Sequence, residues 1–193
     1  MRIIVIAASL SLFACTYPEL EESNPDASTG CVAPATYGMP SMSSQTAKYY
    51  PPETDLPEAV TFLAKLNAAS PADFVDIELI ETPGGPFANG PTTATINLTG
   101  AESSTTTCAG CVLLIAKCMS CSVGQVYTGT VYIATSGTLK ITQAARTGTL
   151  AGSLTNVTFR HVNINNTTGA STFHPDNCTT QIASAMFSAP IQQ

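Results

Sequence analysis

From Phe74 onward the chain repeats with a period of two, and that period leaves it little choice but extended structure. In Phe74-Val75-Asp76-Ile77-Glu78-Leu79-Ile80 the apolar Val75, Ile77 and Leu79 share one face while Asp76 and Glu78 share the other, which is the alternation of a half-buried strand. Residues 93–98 repeat it, with Ala94, Ile96 and Leu98 turned inward. Further runs rich in β-branched and aromatic residues cover 111–116, 126–135, 138–143, 153–165 and 181–187, separated by glycines and polar turns. Ser136-Gly137 is short enough to close a hairpin between 131–133 and 139–141, and 148–152 marks a second reversal. Many short strands at this spacing predict an all-β domain, an antiparallel β-sandwich or a barrel.

Ahead of Phe74 the pattern is weaker. Residues 32–57 are rich in proline, serine, methionine and tyrosine and read as irregular coil with one short strand near 47–50. Residues 57–67 fit two elements. Pro57 at a first helical position, then Glu58, Ala59, Leu63 and Ala64, would open a helix. As a strand, the same stretch places Val60, Phe62, Ala64 and Leu66 on one face, and the local Val60-Thr61-Phe62 favours that choice.

Seven cysteines punctuate the chain. One of them, Cys15, ends a distinctive leader: Arg2 precedes an uncharged, mostly apolar run from Ile3 to Phe13, followed by Ala14-Cys15. A membrane span needs about 20 apolar residues and this run is far shorter. An ordinary secretory site has an Ala-x-Ala pattern that Leu12-Phe13-Ala14 lacks. Leu12, Ala14 and Cys15 resemble the end of a bacterial lipoprotein signal, from which Phe13 departs. That resemblance implies removal of residues 1–14 and lipidation of Cys15 with fatty acyl chains such as palmitate. Two or more chains anchor stably, because each buried methylene contributes about 0.8 kcal/mol. Thr16 rather than aspartate after the cysteine implies, by enterobacterial sorting, the outer membrane of a bacterial cell envelope.

Residues 15–30 carry Glu19, Glu21, Glu22 and Asp26 with no basic residue, so they read as an acidic flexible tether leading to a single β-domain over 31–193. The remaining cysteines, Cys31, Cys108, Cys111, Cys118, Cys121 and Cys178, are even in number in an oxidising compartment and predict disulfides whose pairing the spacing leaves open. Cys31 has no partner nearer than Cys108, so its bridge closes a loop of more than 75 residues. Two Cys-x-x-Cys pairs also suggest zinc or an Fe–S cluster. However, they are separated by a short apolar stretch that reads as a core strand, so no metal ligand and no cofactor is assigned.

The net charge of −6 becomes −7 when Arg2 leaves with the leader, which argues against nucleic acid as a partner. His161 and His174 are the only histidines. His161 shares its strand face with Val157 and Phe159 and reads as a hydrogen-bonded histidine at the edge of the core. His174-Pro175-Asp176 lies in a polar loop before Cys178, which makes His174 and Asp176 the candidate ligand-site residues. Asp73, Asp76, Glu78 and Glu81 lack the spacing of a calcium loop and read as a solvated acidic face. None of the common nucleophile, zinc-protease or phosphate-loop motifs occurs, so no catalytic residue is assigned.

Three landmarks carry a family resemblance: the Asp73-x-x-Asp76-Ile77-Glu78-Leu79 strand, the Thr99-Gly100-Ala101-Glu102 turn followed by Cys108-x-x-Cys111-Val112, and Leu154-Thr155-Asn156-Val157-Thr158-Phe159. Together they resemble uncharacterised exported lipoproteins of myxobacteria and related soil bacteria, over most of the chain after Cys31. The resemblance implies an envelope location and no catalytic residue. Cys118 and Cys121 stand outside that pattern, which implies a local pair. The expected function is a non-catalytic binding or structural β-domain, anchored to the membrane by lipid and facing an envelope polysaccharide or protein. The alternative is an extracytoplasmic hydrolase using His174 and Asp176.

Overall fold

Among the described residues nine strands form, most of them on the alternating stretches and one, at 171–173, on a stretch the alternation does not mark, and their pairing closes on itself. The computed structural model describes residues 30–53, 56–124, 127–165 and 167–193. The leader, Cys15 and nearly all of the acidic tether lie outside the described residues. The strands are β1 (Ser43–Tyr50), β2 (Ala59–Lys65), β3 (Ala72–Ile80), β4 (Ala94–Asn97), β5 (Gly110–Cys118), β6 (Thr130–Gln143), β7 (Gly148–Ile164), β8 (Ser171–Phe173) and β9 (Thr179–Gln192), with one 3-10 turn at Gly100–Ser103. The ambiguous 57–67 segment is a strand, and the short strand near 47–50 is the end of β1. The fold is all-β.

Hydrogen bonding links β1 to β2, β3, β5, β6, β7 and β9, and β9 returns to β1. A ring of seven strands cannot alternate direction all the way round, so one neighbouring pair must be parallel. That pair is β1 with β9, in the register Ala47↔Ile191 and Lys48↔Gln192. The sheet is thus barrel-like and mixed at one seam. Closure removes most of the exposed strand edge that would otherwise invite aggregation.

The barrel interior takes the inward side chains predicted from the alternation: Val75, Ile77 and Leu79 of β3 are at most 2% exposed, and Ile96 and Leu98 join them. A second apolar cluster lies outside the ring, where Leu63, Phe74, Leu113, Ile115, Ile133 and Val162 are covered by Cys121, Val123 and Tyr127 of the loop after β5. That outer cover corrects the reading of the acidic face. Asp76 stands between Leu63 and Leu113 in register and is fully buried. Neither of its carboxylate oxygens has a hydrogen-bond partner among the described residues, although the Tyr127 and Glu78 side chains are near enough to act on it. Asp73 is buried too, but satisfied: it accepts hydrogen bonds from Tyr37 Oη at 2.8 Å, Asn67 Nδ2 at 2.7 Å and the Lys117 backbone N–H at 2.7 Å.

The hairpin expected at Ser136-Gly137 does not form. β6 runs straight through it as one strand of 14 residues, with register shifts against β7 on either side of Ser136. Its first half pairs with β5 and its second half with β4, so the kink at Gly137 lets one edge serve two partners. Gly137 has φ of 108°, and a Cβ there would lie 2.6 Å from the Asn156 carbonyl oxygen and from Val157 Cα. Gly137→Ala is therefore expected to destabilise the protein by at least about 1 kcal/mol, read as a lower urea midpoint; an unchanged midpoint would mean that the kink relaxes freely. The second reversal is displaced as well. It falls at 144–147, and Gly152 lies within β7, where Lys140 and the Phe187 ring approach too closely for a side chain.

The six cysteines pair as Cys31–Cys178, Cys108–Cys111 and Cys118–Cys121. The two short bridges flank β5 at its two ends, and the long one ties the start of the described domain to the turn that enters β9.

Candidate functional site

His161 sits at a seam. β7 pairs with β9 up to Arg160↔Thr179 and with β8 from Val162↔Phe173 onward, along the same edge. Between the two partners, the His161 N–H donates to the Cys178 carbonyl at 2.9 Å, and the His161 carbonyl accepts from the His174 N–H at 2.9 Å. The backbone of one histidine is thus clamped by both ends of the 174–178 turn. Its side chain continues the Val157 and Phe159 face, where both neighbours are fully buried, but it emerges at the rim with 16% exposure.

The turn itself is short and tied. Pro175 follows β8 after one residue, and Asn177 takes the left-handed conformation at φ 55°, a region that Asn tolerates better than most residues. The Cys178 N–H donates to Asp176 Oδ1 at 3.0 Å, and Arg160 donates to Asn177 Oδ1 at 2.7 Å while its guanidinium lies 4.3 Å over the Phe173 ring. The Cys31–Cys178 disulfide fixes the far side.

These restraints aim three side chains at one point. Asp176 Oδ2 lies 2.6 Å from His161 Nδ1 and 3.0 Å from His174 Nδ1. The two imidazoles stack with their centroids 4.2 Å apart and an interplanar angle of 24°. Below His161 is the buried Tyr132 ring, 5.2 Å away, whose oxygen accepts from the Ala33 N–H. Partial burial raises the Asp176 carboxyl pKa, but the Cys178 N–H and the two imidazoles outweigh it, and the carboxyl is held below its ordinary value.

No family model, curated protein or solved structure matches this chain. The structure brings together the two candidates from the sequence, His174 and Asp176, and adds His161, which the sequence placed at the core edge as a hydrogen-bonded histidine. The hydrogen bond is real and its partner is Asp176. His161 ends the apolar series on its face, which signals that the strand reaches the rim there; nothing local signals which loop meets it. Cys31 and Cys178 support the site. Cys108, Cys111, Cys118 and Cys121 are committed to their own short bridges around β5.

A separate titratable pair lies under the outer loop. Burial first and the Glu78 charge second push the Asp76 carboxyl well above the ordinary carboxylate range, and burial raises Glu78 in the same direction. Tyr127 is raised too, by burial and then by Asp76. Neither Asp76 nor Glu78 meets a cation among the described residues. We read the pair as a packing feature of the domain.

Proposed function

We propose that this chain is a lipid-anchored protein of a bacterial envelope, tethered through Cys15 to the outer membrane, whose barrel-like domain binds or braces and does not catalyse. The observation that carries the non-catalytic reading is the surroundings of the histidines. Among the described residues no serine, threonine or cysteine side chain hydrogen-bonds to either imidazole, so the Asp–His arrangement lacks the nucleophile that a triad would activate. The hydrolase alternative through His174 and Asp176 is the weaker one on that ground. The anchor rests on Leu12, Ala14 and Cys15 in the leader. Weakly charged, hydroxyl-rich strands suit an envelope polysaccharide or another envelope protein as partner, and the acidic balance does not suit nucleic acid.

Mass spectrometry of protein extracted from bacterial membranes tests the anchor. The expected result is an N-terminal Cys15 peptide carrying a diacylglyceryl adduct, together with a gain of two hydrogens for each of the three disulfides on reduction. An unmodified N-terminal cysteine, or a chain still starting at Met1, would overturn the anchored reading.

A further inference from the structure

We propose that His161, His174 and Asp176 form a binding site for a divalent first-row transition-metal ion, with Zn2+ the ion it fits best. This deepens the binding reading of the domain and rests on it only in that the site binds. Two imidazoles and one carboxylate are the donor types that borderline ions prefer, and three protein ligands leave a position for water or for a partner's group. The three donor atoms already lie within 4.8 Å of one another, although the histidines are 13 positions apart in the chain. Ligand atoms at about 2.0–2.2 Å from a tetrahedral zinc sit roughly 3.3 Å apart. The present separations of 2.6 and 3.0 Å from Asp176 Oδ2 to the two Nδ1 atoms need to open by a fraction of an ångström, and the stacked rings, now 24° apart in plane, need to turn so that both Nδ1 lone pairs converge on the ion.

A second observation points the same way. His174 Nδ1 faces Asp176 Oδ2 at 3.0 Å and the Asp176 backbone N–H at 3.3 Å. A single nitrogen cannot serve both. With its hydrogen on Nδ1 the ring donates to the carboxylate and faces the N–H with a second donor; with its hydrogen on Nε2, Nδ1 accepts from the N–H and turns a lone pair on the carboxylate. A cation bound by Nδ1 and Oδ2 gives both lone pairs a common partner, and the N–H, on an exposed turn, is left to water. The supports expected behind metal ligands are present as well. Asp176 is oriented through Oδ1 by the Cys178 N–H, the disulfide holds Cys178, and His161 is fixed by its backbone N–H, which donates to the Cys178 carbonyl, and by its carbonyl, which accepts from the His174 N–H. His174 and Asp176 are each 33% exposed, so the ion has a path in.

The test is calorimetric titration of ZnCl2 into the oxidised chain, produced without a histidine tag and stripped with chelator. The expected result is saturable binding of one ion per chain, weakened at least about 100-fold in His174→Ala. Proton NMR of the unaltered protein gives a readout that needs no variant. With only two histidines in the chain, both sets of imidazole signals should shift together and stop at one equivalent of zinc. Absence of saturable binding, equal binding by the folded His174→Ala protein, or histidine signals that zinc leaves in place would each overturn the site. None of these outcomes bears on the Cys15 mass result, so failure of the metal site and failure of the anchor are told apart.

Discussion

Replacing Cys31 and Cys178 together with serine is expected to lower stability by about 5 kcal/mol in the chain-entropy account of a cross-link spanning 147 residues. That is a large share of the roughly 5–15 kcal/mol by which domains of this kind are stable. The same substitution at Cys108 and Cys111, three positions apart, should cost only about 1.5–2 kcal/mol, since the loop it releases is so short. Urea midpoints of the two double variants beside the oxidised parent check the contrast. Equal losses would show that the long bridge does not act by restricting the unfolded chain. The Cys31–Cys178 variant should also lose order at the 174–178 turn, because Cys178 accepts from the His161 N–H and donates to Asp176. The two stacked histidines should then separate, which NMR detects in the imidazole signals.

Asp76→Val is expected to stabilise the protein at pH 8 by about 1–3 kcal/mol, the penalty of a buried polar group left without partners. The parent residue is fully buried between Leu63 and Leu113, and neither oxygen has a hydrogen-bond partner among the described residues, so valine exchanges a buried polar group for an apolar contact. The effect depends on pH in a defined direction. Below the ordinary carboxylate pKa of about 4, folded and unfolded chains are both protonated at this position and its full contribution to stability is present. As pH rises beyond that value, the unfolded chain ionises while the folded one keeps its proton, because burial and Glu78 hold the Asp76 pKa up. Stability therefore falls as pH rises through the interval up to the folded-state pKa. Glu78, raised by burial, adds to the fall. Asp176 acts oppositely, since its pKa is lowered, but its contribution is lost only as pH falls below the ordinary range, outside this window. Asp76→Asn keeps the shape and removes the titration, so its stability should decline less between pH 5 and pH 8 than the parent's. Parallel curves for parent and Asp76→Asn would show that Asp76 does not carry the dependence.

Two of the departures of the fold from the sequence expectation, the acidic face and the Ser136-Gly137 hairpin, share one cause. Asp76 and Glu78 occupy alternate positions that solvent would normally fill, and the alternation identifies their face correctly as the one opposite Val75, Ile77 and Leu79. It carries no record of the loop after β5, whose Val123 and Tyr127 fold back over that face. Ser136-Gly137 likewise has the composition of a two-residue hairpin turn. Here the glycine's freedom is used for a kink, because the β7 backbone at Asn156 and Val157 lies where a side chain would stand. In both cases the deciding contact comes from a distant part of the chain.

Strand identity is a local property, since β-branched residues in alternation define an extended segment and its inner face whatever surrounds it. The sequence by itself therefore determined the all-β class, the inward residues of β3 and β4, the even set of cysteines and the polar turn holding His174 and Asp176. Only the tertiary structure decided which strands are neighbours, that seven of them close into a ring with one parallel seam, how the cysteines pair, and that His161 meets His174 and Asp176. Those are choices among contacts far apart in the chain. Each is settled by the combined burial and hydrogen bonding of the whole sheet, to which no short stretch of residues has access.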